Sequence, residues 1–183
     1  MNVRPYRNTD KKNFTKICLI TAGQDNPETE EAKFITELYN NYYTENEPSN
    51  CFALTDEDDN AVGYIICSDD FSFYRKKFNG TLNRIKQTGF GHYLLAIGEV
   101  IGHGLYKKSY PAHLHIDILP EHQHCGGGSL LMNKLKEHLK ANGINSVHLM
   151  VNAQNKNAVK FYKKNGFRIH TDLKKLYVMT CDF

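Results

Sequence analysis

Polar and apolar residues alternate over residues 113–117, and the polar ones are spaced for acid–base chemistry. Successive side chains of a strand point to opposite faces, so His113, His115 and Asp117 would share one face. His115 and Asp117 are then close enough to share a hydrogen bond or a water, and either could accept a proton. Two interpretations without chemistry stay open here: a solvent-exposed polar face, and a structural His–Asp pair.

Three consecutive glycines, Gly126 to Gly128, stand directly before a helix pattern. Glycine inside a helix costs about 0.5–1 kcal/mol relative to alanine, so the run needs a reason. Bare backbone N–H groups at a helix N-terminus bind anions, and missing side chains would let a phosphate come close. A glycine-rich turn before an ordinary helix is the simpler alternative.

Two common phosphate-binding motifs do not fit this loop. No lysine follows the glycines as a Walker loop requires, and Leu131 stands where a dinucleotide-binding fingerprint needs glycine. The remaining pattern is Gln123-x-x-Gly126-x-Gly128, after a strand and opening a helix.

The segment from His113 to Cys125 is also rich in metal ligands. His113 and His115 share a strand face, and Asp117 could add a carboxylate. However, His122, His124 and Cys125 lie beyond Pro120, in the segment that a phosphate would need, and no standard zinc spacing occurs. We therefore expect no metal.

The surrounding elements alternate between strands and helices. Residues 3–6 predict a strand, and a helix follows from a Thr9/Asp10 cap. A second helix is predicted from near Pro27 until just before Pro48, and residues 50–70 predict a β-hairpin. After residue 112 the pattern is strand, glycine-preceded helix, strand, helix and a last strand over 174–183, which favours parallel strands around the glycine-preceded helix. Residues 69–112 form a long aromatic and basic insertion with helical stretches.

Composition limits the class of protein. At 183 residues the chain predicts a single domain over 1–183. A net charge of +3 without basic blocks argues against nucleic-acid or membrane partners. Five scattered cysteines without a CxxC pair, and an N-terminal stretch without an apolar run, predict a cytoplasmic protein.

Two motifs together carry a family resemblance. The first is Gln123-x-x-Gly126-x-Gly128, and the second, about thirty residues later, contains Asn155, Ala158, Phe161, Tyr162, Gly166 and Phe167. In this order and context they resemble the acetyl-CoA loop and later helix of the GNAT (Gcn5-related N-acetyltransferase) superfamily. The segment around 110–123, after a long insertion, is similar to bacterial GNAT proteins related to the acetyltransferase-like domain fused to some hexosaminidases.

The resemblance implies a GNAT fold of the α/β class. This fold has a central mixed β-sheet of about six or seven strands flanked by helices, here with a helical insertion between the third and fourth strands. It also implies that acetyl-CoA is the co-substrate. The residues implied to contact it are Ile118, Leu119, Gln123, His124, Cys125, Gly126, Gly127, Gly128, Ser129, Asn155, Ala158 and Tyr162.

The resemblance further implies roles in acetyl transfer. Tyr162 matches the family's proton donor to the leaving thiolate, although a core aromatic is the simpler interpretation. A backbone N–H at Ile118 or Leu119 would stabilise the carbonyl oxygen. The base is Asp117, His115 or a water chain, and Asp117 could instead bind a cationic amine. Asn155 either contacts the pantetheine arm or caps its helix.

The implied function is N-acetyl transfer from acetyl-CoA to a primary amine by direct attack on the thioester. Cys125 is poorly placed for a nucleophile. The acceptor is left open between a small-molecule amine, an amino sugar and a peptide or protein amine. The alternative is a non-catalytic acetyl-CoA or acyl-CoA-binding module of the same fold. The insertion would be an acceptor-site lid or the surface of a homodimer.

Overall fold

The computed structural model describes residues 1–183 and contains one seven-stranded sheet. Its strands, in chain order, are β1 (Asn2–Pro5), β2 (Cys51–Thr55), β3 (Ala61–Ser68), β4 (Ala112–Ile118), β5 (Ser146–Asn152), β6 (Arg168–Asp172) and β7 (Leu176–Asp182). Across the sheet the order is β1-β2-β3-β4-β5-β7-β6. The mixed α/β fold expected from the sequence is confirmed.

Only the central pair, β4 and β5, is parallel. Parallel pairing is confirmed around the glycine-preceded helix, because that helix makes the crossover from β4 to β5. The two strands pair only at Ala112↔Val147 and His113↔His148. Beyond this point β4 continues beside β3 and β5 continues beside β7, so the sheet splits at its centre.

Helices cover both faces of the sheet. They are α1 (Lys11–Thr21), α2 (Glu30–Thr36), α3 (Tyr42–Asn46), α4 (Phe71–Thr88), α5 (Phe90–Tyr106), α6 (Gly127–Ala141) and α7 (Lys156–Lys164). Helices α1 to α5 share one apolar cluster on the first face. Helices α6 and α7 share another on the second face. None of the helices has the length and apolarity needed to cross a membrane.

The insertion is a helical hairpin made of α4 and α5 and joined at Gly89. Its inner side is part of the core, because Tyr74, Phe78 and Ile85 are almost completely buried. Asp70 caps the first helix by accepting hydrogen bonds from the N–H groups of Ser72 and Phe73. The predicted helical content of this segment is confirmed.

Two details differ from the sequence patterns. The second predicted helix is interrupted by a π-helical turn at Glu37–Asn41, and it begins at Glu30 after the Thr29 cap rather than near Pro27. The patterns do not locate β6, because four of its five residues are exposed and it therefore lacks alternation between buried and exposed positions.

Candidate functional site

The split between β4 and β5 leaves strand backbone unpaired at the centre of the sheet. Leu119 donates its N–H to the carbonyl of Val62, 3.0 Å away. Because hydrogen-bonding directions alternate along an antiparallel pair, the backbone groups of Ile116 and Ile118 face away from β3, toward the split. Of the two predicted carbonyl-oxygen donors, Leu119 is therefore wrong, since its N–H is already bonded. Ile118 remains a prediction.

The glycine loop lies at the open end of this split. Gln123 donates from Nε2 to the carbonyl oxygen of Ile118 at 2.8 Å, which ties the loop to the end of β4. His124 and Gly126 both have left-handed backbone conformations, with φ of 63° and 84°. No protein acceptor receives the N–H groups of residues 124–126, and those of 127 and 128 belong to the first helical turn. Such a run of free N–H groups forms an anion-binding concavity.

The three glycines have different structural reasons. A Cβ atom at Gly126 would meet nothing within 4 Å, so this position leaves room for a ligand. A Cβ at Gly127 would lie 2.5 Å from Cδ2 of Leu54, and one at Gly128 would lie 2.8 Å from Cε2 of Phe161. Packing therefore accounts for the missing side chains at Gly127 and Gly128, and the phosphate explanation stays a prediction that Gly126 alone requires. Gly127 and Gly128 allow α6 to pack against β2 and α7.

Substitution of Gly128 should show this packing role. We expect Gly128→Ala to lower the free energy of unfolding by about 1–3 kcal/mol, because the added methyl group overpacks the contact with Phe161. The double variant with Phe161→Leu should recover part of that loss, since it removes the ring atoms that clash. Urea denaturation of both variants measures the effect. Equal loss in the single and double variants would contradict the packing explanation.

The other residues of the loop and of α7 take local roles. Cys125 is exposed, and its Sγ donates to the carbonyl of Gln123. Ser129 lies in the first turn of α6, with its N–H bonded to the carbonyl of Gly126. Asn155 caps α7 by accepting a hydrogen bond from the N–H of Ala158 at 3.0 Å. Asn155 is expected either to cap α7 or to contact the pantetheine arm, and the structure contains the cap.

Tyr162 lies in α7, packed beside Phe161 and Phe167 in the core of the second face. It is 9% exposed, and no protein group bonds to its hydroxyl. Burial and the negative charge of Asp117 raise the pKa of Tyr162 well above its ordinary value, so the hydroxyl stays protonated. The residue is thus a core aromatic that also keeps a free, protonated hydroxyl.

Asp117 is on the opposite face of the sheet, toward α1. Tyr64, its register partner on β3, donates from Oη to Oδ2 at 2.6 Å. Burial raises the pKa of Asp117, while hydrogen bonding to Tyr64 and Thr21 opposes the rise. The alternative of a solvent-exposed polar face is therefore wrong, because this face of β4 is covered.

His115 is beside Asp117 on this face but does not bond to it. Its ring packs edge-on against Tyr39 and Tyr43, at centroid distances of 5.0 and 5.5 Å. Burial lowers the pKa of His115 to about 4, so the ring is neutral at pH 7. The direct His–Asp hydrogen bond considered from the sequence is not present.

The insertion brings further histidines to the same face. His103 of α5 stacks on His113 with ring centroids 3.8 Å apart, and its Nδ1 is 2.9 Å from Nε2 of His148. Burial lowers the pKa of all three. Sequence reasoning missed His103, although Glu99 and His103 lie at helical spacing, because spacing does not reveal what a helix packs against. The structure contains no cluster of three or more His, Cys, Asp or Glu side chains arranged to hold a metal ion.

The chain is similar to known proteins in sequence and in fold. A sequence model of the acetyltransferase (GNAT) family matches residues 72–167, more than half of the chain. The solved structure of SsHAT is 25% identical, with a TM-score of 0.84, covering 99% of this chain and 97% of that one. PaiA N-acetyltransferase from Thermoplasma acidophilum in complex with coenzyme A is 17% identical, with a TM-score of 0.64 over 100% and 98% of the two chains. Chaetomium thermophilum Naa20 in complex with a bisubstrate analogue is 21% identical, with a TM-score of 0.58 over 100% and 87%.

Proposed function

Because the chain belongs to the acetyltransferase (GNAT) family, we propose that it is an N-acetyltransferase acting on a primary amine with acetyl-CoA as the donor. The observation that carries the proposal is the split between β4 and β5. A loop with free N–H groups stands at its end, a protonated Tyr162 lies on one face, and a partly buried Asp117 lies on the other.

The chain offers a fitting set of groups for acetyl-CoA. The free N–H groups of residues 124–128 would hold the pyrophosphate, with room provided at Gly126. The unpaired backbone of Ile116 would pair with the pantetheine amides by hydrogen bonding, because the carbonyl of Ile118 already accepts from Gln123. When bound, the co-substrate supplies an acetyl thioester, which is the acyl donor of the reaction.

The acceptor amine must lose a proton before it can attack. An alkylamine of pKa near 10 is only about 0.1% neutral at pH 7. Deprotonating it therefore costs roughly 4 kcal/mol, and a general base can supply part of this free energy. Asp117 suits this role better than His115, because burial raises the pKa of the carboxyl group and lowers that of the imidazole. We therefore propose Asp117 as the base, acting directly or through water.

Two further groups would complete the reaction. The N–H of Ile118 would stabilise negative charge on the carbonyl oxygen. Tyr162 would donate its proton to the leaving sulfur. Its raised pKa keeps the hydroxyl protonated at neutral pH. Direct attack by the amine is preferred to an acyl-enzyme, because Cys125 is held in the anion-binding loop by its bond to Gln123.

Replacing Tyr162 tests both the role and the function. We expect Tyr162→Phe to lower kcat for amine acetylation about 10²-fold, since a proton donor is lost, while the Kd for acetyl-CoA stays within about twofold. Thiol release measures turnover on a panel of primary amines, and calorimetry measures binding. An unchanged kcat would remove Tyr162 as the acid. Tight acetyl-CoA binding by the wild-type protein without turnover on any amine would favour the non-catalytic module.

Other proposals concern the setting of the enzyme. The packing of the α4–α5 hairpin into the core supports a fixed wall of the acceptor site more than a mobile lid. Apolar side chains are exposed along α5, including Leu94, Ile101 and Leu105, and this surface would serve as the contact of a homodimer. Five free thiols support a cytoplasmic location.

A further inference from the structure

Glu99 of the inserted helix α5 has a carboxylate in which only one of the two oxygens accepts a hydrogen bond. Tyr39 donates from Oη to Oε1 at 3.0 Å. The other oxygen, Oε2, is buried and has no hydrogen-bond partner, with Nε2 of His103 at 3.8 Å. A buried acceptor without a donor is unfavourable, so this oxygen is suited to a donor from outside the chain. The side chain as a whole is 22% exposed, and the exposed part is the part other than Oε2.

Glu99 is positioned beside the open part of the split in the sheet. One helical turn later, His103 contacts His148, the last residue of β5 that pairs with β4. His103 stacks on His113, whereas Glu99 is bonded to Tyr39, which packs near His115, two residues further along β4 toward the unpaired end. Tyr39, which holds Glu99, also packs on His115. Glu99 thus belongs to the same face as Asp117 and His115.

The helix surface next to Glu99 has room for a ligand. A Cβ atom at Gly98 would meet nothing within 4 Å, whereas one at Gly102 would lie 3.1 Å from Sδ of Met150 on β5. Leu95, on the same side of α5, is 61% exposed. The surface from Leu95 through Gly98 is therefore open and apolar, and it lies beside the exposed part of the Glu99 side chain.

The charges on this face are of one sign. Glu99 and Asp117 are both acidic, and neither forms a salt bridge with a lysine or an arginine: among basic side chains Glu99 has only His103 nearby, and Asp117 accepts from Tyr64. A cationic head group would be attracted here, and its own carboxylate, if it had one, would meet no counter-ion.

We propose that Glu99 binds the ammonium group of the acceptor, and that the acceptor is a primary alkylamine or arylalkylamine without a carboxylate next to its amine. This inference rests on the proposed acetyltransferase function and specifies its substrate class. The apolar part of the acceptor lies along Leu95 and Gly98, with the aromatic ring of Tyr39 beside its charged head.

The test compares 2-phenylethylamine with L-phenylalanine, which share a skeleton and differ by one carboxylate. With acetyl-CoA and the full chain, we expect kcat/KM to favour 2-phenylethylamine by at least about 10²-fold. We expect Glu99→Gln to raise the KM for this amine about 10- to 100-fold with a smaller change in kcat, and with an unchanged Kd for acetyl-CoA. Glu99→Asp should recover part of the loss.

Two variants control for structural effects. Glu31→Gln removes an exposed carboxylate of α2 that pairs with His92, and it should leave KM unchanged. Tyr39→Phe removes the hydrogen bond to Oε1 while keeping the ring, and it should raise KM by less than Glu99→Gln does. A Glu99→Gln protein that turns over 2-phenylethylamine with wild-type KM would overturn the inference, as would equal use of the two probes.

Calorimetric titration of 2-phenylethylamine into the coenzyme A complex separates this inference from the proposed function. Binding that Glu99→Gln weakens, without turnover in any amine assay, would support the acceptor site and overturn the acetyltransferase. Turnover of amines whose binding and KM do not depend on Glu99 would support the acetyltransferase and overturn the acceptor site.

Discussion

Gly126→Asp should weaken the binding of acetyl-CoA by about 10³-fold. The new carboxylate would stand among the free N–H groups of the loop, where the pyrophosphate is proposed to bind. Two like charges about 4 Å apart near a protein surface repel by about 4 kcal/mol, which corresponds to this factor. Because a Cβ at Gly126 meets no neighbouring atom, the effect should come from charge rather than from disturbed packing. Calorimetric titration with acetyl-CoA gives the Kd.

Gly126→Asn is the matched control for this substitution. Asparagine has the same shape as aspartate without its charge, and it tolerates the left-handed backbone that Gly126 adopts. We expect its Kd to stay within about tenfold of the wild-type value, and the two variants to have similar melting temperatures. If both variants bound acetyl-CoA equally well, the assignment of the loop to the pyrophosphate would be wrong.

The buried histidines should make the protein unstable in mild acid. Burial lowers the pKa of His115 and of His148 to about 4, and that of His103 and His113 well below the ordinary value. Between about pH 6.5 and pH 4 these four histidines therefore bind more protons in the unfolded chain than in the folded one, so their contribution to stability falls as the pH falls. At pH 5, His115 and His148 should each cost about 2 kcal/mol relative to neutral pH.

Buried carboxyl groups act in the opposite direction in this range. The pKa of Glu47, Glu99 and Asp117 is raised by burial, so the folded state gains protons from these groups as the pH falls. Urea denaturation at pH 7.5 and pH 5 measures the net change. His103→Gln should reduce the loss by removing one buried imidazole, and the exposed His170→Gln should leave it unchanged. Identical pH dependence in all three proteins would refute this account.

Much of the fold follows from periodicity. The alternation of β4 predicted which of its side chains share a face, and Leu114, Ile116 and Ile118 do lie together in the core of the second face. The hairpin of β2 and β3 and the glycine-preceded helix follow from similar local patterns. The strand β6 was not predictable in this way, because an exposed edge strand has little contrast between its two faces.

The sequence by itself determined where the glycine loop and the start of α7 lie, while it left open whether Asn155 caps that helix. Residues 123–128 and Asn155 act through backbone and side-chain groups a few positions away, and such geometry is specified by local residue types. The tertiary structure alone decided which glycines serve packing, since the contacts with Leu54 and Phe161 join distant segments.

The tertiary structure also decided which side chains surround Glu99 on the first face of the sheet. Glu99 and His103 meet Tyr39, His115 and His148 only because the inserted hairpin packs over the split in the sheet. The split itself depends on β5 leaving β4 to pair with β7. Contacts between residues so far apart in the chain depend on how whole elements pack, and the spacing of residues within one element does not specify that packing.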